Sequence, residues 1–183
     1  MRSTLGPLHS DSSRSVDDNA SQTPRKGAGL NTALEHPQAA RPQRHTVTGD
    51  VHLILRRDGK VLFGQRQNTG FEDGAWHLPS GHLEAGESVV EALIREAHEE
   101  VGVRIAPQDV HFSHVMHNAS SGGRMAFFFA VDTWTGEPVN REPEKCAAIE
   151  WFDPSALPDH MIGYCRTALD HVAAGEKFSV FGW

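Results

Sequence analysis

Cysteine is scarce in this chain of 183 residues: Cys146 and Cys165 are its only two, and no CxxC pair occurs. Two thiols make no disulfide framework and offer zinc no thiolate pair, so reduced, buried cysteines in a cytoplasmic protein are expected. No apolar run approaches the roughly 20 residues that span a bilayer, so no membrane partner is expected. The first residues lack the apolar core of a secretory signal. A basic surplus is missing as well. Residues 46–183 hold eleven Lys or Arg against twenty Asp or Glu, which speaks against nucleic acid held along a cationic face. A small anionic ligand stays compatible, because a metal ion can meet its charge where lysines do not.

Residues 1–45 contain no aromatic side chain and are rich in Ser, Pro, Ala and Gly. Such a stretch cannot bury enough surface to offset its ordering entropy, and a disordered N-terminal tail is expected. A start codon assigned too far upstream would leave the same picture. Asp11, Asp17 and Asp18 do not suit a transit peptide. A folded domain is expected over 46–183. Val51–Arg56 and Val61–Gln65 read as strands joined by a turn at Arg57–Lys60. A loop over Asn68–Gly74 and a short strand at Trp76 follow. Asp109–Asn118 and Arg124–Thr135 read as a second hairpin around Ser120–Gly123, with one more strand over Ala147–Phe152. Asp159 is placed to cap a last helix running to Ala174. This order predicts a mixed-sheet α/β or α+β domain. His111, His114 and His117 would alternate faces of their strand, which speaks against a metal site there.

The dense chemistry lies between Gly81 and Val103. Ser88 is placed to cap a helix and Gly102 to end one. Val90, Leu93, Ala97 and Val101 fall on one flank and should face the core. Glu96, Glu99 and Glu100 share an adjacent flank, since residues three and four apart are neighbours on a helix. A glutamate-rich helix is ordinarily just a solvated face. Here, however, three clustered carboxylates repel one another unless a cation neutralises them. An all-oxygen donor set suits Mg²⁺ first and Mn²⁺ second, and magnesium commonly shares its coordination with substrate phosphates. The Gly81 carbonyl is a candidate further ligand, and Arg95 a candidate bidentate partner orienting Glu96.

Gly81, Glu87, Arg95–Glu96, Ala97, Glu99–Glu100, Gly102 and Val103 reproduce, at every position, the spacing of the Nudix signature. On these residues the chain resembles the Nudix hydrolases. Trp76–Gly81 is similar to the strand leading into that motif, with Ser80 where a glycine is common. Asn68–Gly74 and Glu142–Cys146 look like a bacterial, MutT-like subgroup. The resemblance implies an α/β/α sandwich with a mixed sheet, and hydrolysis of a nucleoside diphosphate linked to some other group. It admits a homodimer.

The implied chemistry is attack of water on one phosphorus of a small-molecule diphosphate. Glu99 and Glu100 are expected as direct metal ligands, and Glu96 as ligand or water-activating base. Glu87 is expected to support the loop–helix junction or an outer metal water. In this family the base can come from outside the motif, so Glu137, Glu142 and Glu144 are further candidates. Arg66 and Arg124 are candidates to clamp a phosphate, and Trp76, Phe127, Phe129 and Trp151 to stack on a base. A (deoxy)nucleoside triphosphate, split to monophosphate and pyrophosphate, is the first substrate expectation. A sugar nucleotide, dinucleotide, capped RNA end, prenyl or specialised-metabolite diphosphate is the alternative. A nucleotide sensor that binds without cutting is a third reading, against which the complete carboxylate set stands.

Overall fold

The computed structural model of the protein describes residues 44–183. The tail expected over residues 1–45 therefore lies outside the described residues, except for Arg44 and His45, which are exposed.

Strand β1 (Thr48–Arg57) is buried from Val51 to Leu55 on both faces, which is why its sequence reads as an apolar run rather than an alternation. It turns into β2 (Lys60–Arg66) through Asp58 and Gly59, whose φ values of 52° and 75° suit a two-residue hairpin turn. Short strands β3 (Trp76–His77) and β4 (Ser80–His82) lead to helix α1 (Val89–Val101). Then come β5 (His111–Asn118), β6 (Arg124–Val131), β7 (Cys146–Phe152), helix α2 (Gly163–Ala173) and β8 (Phe178–Phe181). The sheet runs β3-β2-β1-β6-β5-β8, with β4 added on β1 and β7 on β2. Pairing of β1 with β6 and of β5 with β8 is parallel; the other ladders are antiparallel.

Each face of this mixed sheet has its own core. Leu53, Leu55, Phe129 and Val131 pack against Ala92, Leu93, Ala97 and Val101 of α1. Ile54, Phe63, Met116 and Phe128 pack against Cys165 and Ala168 of α2. The architecture is thus an α/β/α sandwich, as the sequence implied. Among the described residues no helix is long and apolar enough to cross a membrane. Both cysteines are free thiols.

Helix α1 starts and stops where the sequence placed it. Ser88 and Glu91 form a reciprocal capping box, and Gly102 ends the helix at φ 74°. Its buried stripe differs by one position: Ala92 is fully buried while Val90 is only half-buried. Helix α2 begins at Gly163, and Asp159 does not cap it. Trp76 holds the chain before the helix extended, accepting from the Ile162 amide and donating to the His160 carbonyl. The last strand, β8, had no expected counterpart, and β6 ends at Val131 rather than Thr135. A bulge between Phe112 and His114 also changes the histidine pattern. His111 and His114 now stand opposite Ala130 and Phe128, on one face, whereas His117 stands opposite Met125 on the other.

Candidate active site

A cleft of about 420 Å³ opens between β4 and α1 on one side and β2, β3 and β7 on the other. Glu96, Glu99 and Glu100 line it together with Gly81, Arg95, Glu142 and Lys145. The helical period supplies the first three carboxylates from adjacent turns of α1. The 139–146 segment supplies the fourth. That segment is tied to the end of α1, where the Val139 and Arg141 amides donate to the Val101 and Glu100 carbonyls. On its other side Gln67 Nε2 donates to the Pro143 carbonyl (2.5 Å) and Asn68 Nδ2 to the Glu144 carbonyl (3.1 Å).

Arg95 organises the acidic wall. Its Nε and Nη2 grip both oxygens of Glu87 (3.1 and 2.7 Å), and Nη1 reaches Glu96 (2.6 Å) and Glu99 (3.3 Å). Nη2 also donates to the His82 carbonyl at 3.0 Å. The bidentate pair expected with Glu96 is therefore made with Glu87, and Glu96 receives a single bond. Glu87 additionally accepts from the Glu84 amide (2.7 Å), so it fastens the loop entering α1. The Arg95 guanidinium draws the Glu87 carboxyl below its ordinary range.

Two of the carboxylates are shifted the other way. Burial pushes Glu100 up to about 8, helped by the charges of Glu96 and Glu142 and opposed by the Ser80 amide, which donates to it at 2.8 Å. Burial raises Glu96 too, against the pull of Arg95. Both shifts come first from burial, and the charges of neighbouring carboxylates add to them. A divalent cation fits that donor set: hard oxygens, neighbouring negative charges and open space in front of them. Among the described residues no three His, Cys, Asp or Glu side chains converge as a finished cage. Magnesium does not require one, since it is usually bound by one or two carboxylates plus waters and substrate phosphates. Glu96 and Glu99 are meanwhile held back on Arg95.

The other sequence candidates separate into two groups. Glu142 and Arg66 line the cleft. Glu142 pairs with Lys145 at 2.8 Å, and Arg66 donates to the Phe71 carbonyl and the Thr69 hydroxyl of the 68–74 loop. Glu137 and Glu144 do not line it: Glu137 is paired with Arg57 at 2.8 Å, and Glu144 contributes only its backbone carbonyl to Asn68. Arg124 stands behind the cleft, bound to Asp50. None of Trp76, Phe127, Phe129 and Trp151 lines the cleft. Trp76 packs edge-on against Phe152, Trp151 lies against Trp134 and Arg57, and Phe127 and Phe129 join the core beneath α1. Alternation along a strand cannot say which aromatic face is covered.

The sequence pointed to no site role for several lining residues, although His77, Ser80 and Lys145 fall in segments that carry the resemblance. Lys145 is a lone lysine in a loop. His77, Ser80 and His82 flank the motif's first glycine and form part of the cleft wall. Ser80 Oγ lies 3.2 Å from His77 Nδ1, and His77 Nε2 lies 2.8 Å from the Tyr164 hydroxyl. Burial lowers His77 to about 3, so this imidazole is neutral. Beneath them His52 stacks on Phe128, and among the described residues neither of its ring nitrogens has a hydrogen-bond partner.

Comparison with known proteins shows the family and the fold. A family model described as a NUDIX domain matches residues 45–167. An uncharacterized Nudix hydrolase of Bacillus subtilis is 32% identical over 107 residues, covering 56% of this chain and 64% of its own length. An ADP-ribose pyrophosphatase of Methanocaldococcus jannaschii is 32% identical over 124 residues, covering 66% of each chain. The chain thus spans about two thirds, or slightly less, of these two relatives. The crystal structure of a MutT NUDIX hydrolase from Burkholderia pseudomallei superposes with a TM-score of 0.63 at 27% identity, over 68% of this chain and 97% of that one.

Proposed function

Because the chain belongs to the Nudix family, we propose that it hydrolyses the diphosphate linkage of a nucleoside diphosphate derivative, with Mg²⁺ as the preferred cation and Mn²⁺ as its substitute. The first substrate is a (deoxy)nucleoside triphosphate, yielding monophosphate and pyrophosphate. One observation carries the reading: Glu96, Glu99, Glu100 and Glu142 face a single cleft, and Glu100 is held there well above its ordinary range.

Glu99, Glu100 and the Gly81 carbonyl would hold the cation, with Glu96 as a further ligand or as base. When bound, it would lower the pKa of a water and offset phosphate charge. The protein's own groups then have distinct tasks. Arg95 holds Glu96 and Glu99 at the cleft wall, where a cation would take them over, and has Glu87 as its anchor. Glu142, mounted on a segment fastened at both ends, is the second carboxylate able to accept the proton of the attacking water. Lys145 and Arg66 bring positive charge to the opposite wall, where phosphate oxygens need it. The net acidity of residues 46–183 favours a small-molecule substrate over a nucleic acid chain. A cytoplasmic location follows from a small-nucleotide substrate and two free thiols.

A second reading has one specific observation behind it. The wall of the cleft opposite the carboxylates is polar, built from Gln65, Arg66, Thr69 and His77, with no Phe, Tyr or Trp among the lining residues. A sugar-bearing or second-nucleoside leaving group suits that wall better than a stacked base. Product analysis with Mg²⁺ across nucleoside triphosphates, sugar nucleotides and dinucleotides separates the readings. Release of pyrophosphate identifies the first, and two monophosphate products the second. Inertness of the whole panel with cation bound would overturn both.

A further inference from the structure

Strand β4 shows its residues alternately to the two sides. A Cβ at Gly81 would point into the Glu96 carboxylate, so Ser80 and His82 point the other way. His82 nonetheless lines the same cleft, and its side chain is 67% exposed. An exposed imidazole is ordinarily free to rotate in solvent, but this one is tethered. Its Nε2 lies 2.7 Å from Nη2 of Arg124, whose Nε and Nη2 are each 2.5 Å from an oxygen of the buried Asp50. The register pairs Asp50 directly with His82 across β1 and β4, so the ion pair sits immediately behind the imidazole.

A guanidinium has no lone pair to offer, so Nε2 must accept and the ring proton must reside on Nδ1. The contact adds little to the ion pair, which Asp50 and Arg124 already complete between themselves. Its effect falls on His82: one ring nitrogen is occupied, and the other becomes a fixed N–H donor. Of the other charged residues lining the cleft, Arg66 and Lys145 are donors only as well, while Glu84 is an acceptor.

We propose that His82 is a substrate-binding residue, positioned as a donor by Arg124 and Asp50, that takes an acceptor-only group of the substrate: a phosphate oxygen or a base carbonyl. The proposal rests on the diphosphate-hydrolase reading and assigns Arg124 a role through His82 rather than as a phosphate clamp.

The test uses the full chain with Mg²⁺ and the variants His82→Ala, His82→Asn, Arg124→Met and the double variant His82→Ala/Arg124→Met. Asparagine keeps an amide donor where Nδ1 was. On a substrate the native protein cleaves, His82→Ala should lower kcat/KM about tenfold, carried by KM, as one lost hydrogen bond predicts. His82→Asn should recover most of that loss. Arg124→Met should shift KM in the same direction, and the double variant should be no worse than His82→Ala alone. An unchanged KM in His82→Ala, or additive losses in the double variant, would overturn the proposal. Calorimetric titration with pyrophosphate and with GMP, whose base bears a carbonyl oxygen, separates the two acceptors without needing turnover. Weakened pyrophosphate binding in His82→Ala assigns a phosphate oxygen, weakened binding of GMP alone assigns the base carbonyl, and unaltered binding of both overturns the proposal. Absence of turnover in the native protein with these binding losses intact would count against the hydrolase reading instead.

Discussion

The carboxylate of Glu96 occupies the space that a side chain at Gly81 would need: an ideal Cβ there lies 1.9 Å from the Glu96 carboxyl carbon. Position 81 is a glycine for a steric reason, since its φ is not in the left-handed region. Gly81→Ala must therefore displace Glu96 from the wall of the cleft and from Arg95. Turnover should fall by at least about 100-fold, the scale on which misplaced catalytic groups act. The variant should still fold, which circular dichroism checks beside the kinetics. Near-native kcat would show that Glu96 does not work from this position.

The ionisation of Glu100 links stability to pH. Its folded-state pKa, about 8, exceeds the ordinary 4.5, so the folded protein holds this proton more tightly than the unfolded chain does. The cation-free protein should be most stable below about pH 4.5, as far as this group is concerned, and lose that advantage as pH rises toward 8. Glu96 contributes in the same direction. Thermal melts of the cation-free protein should show a falling Tm across this window, flattened in Glu100→Gln. Mg²⁺ added at pH 8 should raise Tm in the native protein and not in Glu100→Gln. Equal pH slopes in the two proteins would remove the assignment.

Arg95→Lys keeps the charge and loses the fork. A lysine cannot hold both oxygens of Glu87 while also reaching Glu96 and the His82 carbonyl. A loss of about 10- to 100-fold in kcat/KM is expected, the usual effect of removing a group that orients metal ligands. Apparent Mn²⁺ affinity should weaken in parallel. Loss of kcat with affinity intact would instead place Arg95 on the substrate.

Gln67 should matter only through the segment it fastens. Gln67→Ala removes the side-chain bond to the Pro143 carbonyl and loosens the 139–146 segment, which the Gln67 amide still holds at the Lys145 carbonyl. Turnover should drop several-fold as Glu142 becomes less firmly mounted. In a Glu142→Gln background the same substitution should cost little, because coupled residues are not additive. Additive losses would show that Gln67 acts elsewhere.

The sequence disclosed this molecule unevenly, for physical reasons. The ends of helix α1 were legible to the residue, since capping by Ser88, termination at Gly102 and the spacing of its glutamates are local properties. Its buried stripe, set by packing, took in Ala92 in place of Val90. The first hairpin was equally local. What failed depended on contacts distant in sequence. Trp76 delays the start of α2, and β8 exists only because β5 offers an edge. The bidentate partner of Arg95 proved to be Glu87, eight residues back, a choice made by the fold of the loop. Lys145, His77 and His82 were invisible as cleft residues because single polar residues in loops and short strands carry no period.

Strand β1 lines neither wall of the cleft but joins the two. From Asp50 to His52 it pairs with β4, which carries Gly81, and at Arg56 and Arg57 it pairs with β2, whose partners β3 and β7 form the opposite wall. The two sides meet along this ribbon like the covers of a book along its spine. How far apart the acidic and polar walls stand is then governed by the curvature of one strand. A substitution that bends it, far from any carboxylate, would change the girth of substrate the protein admits.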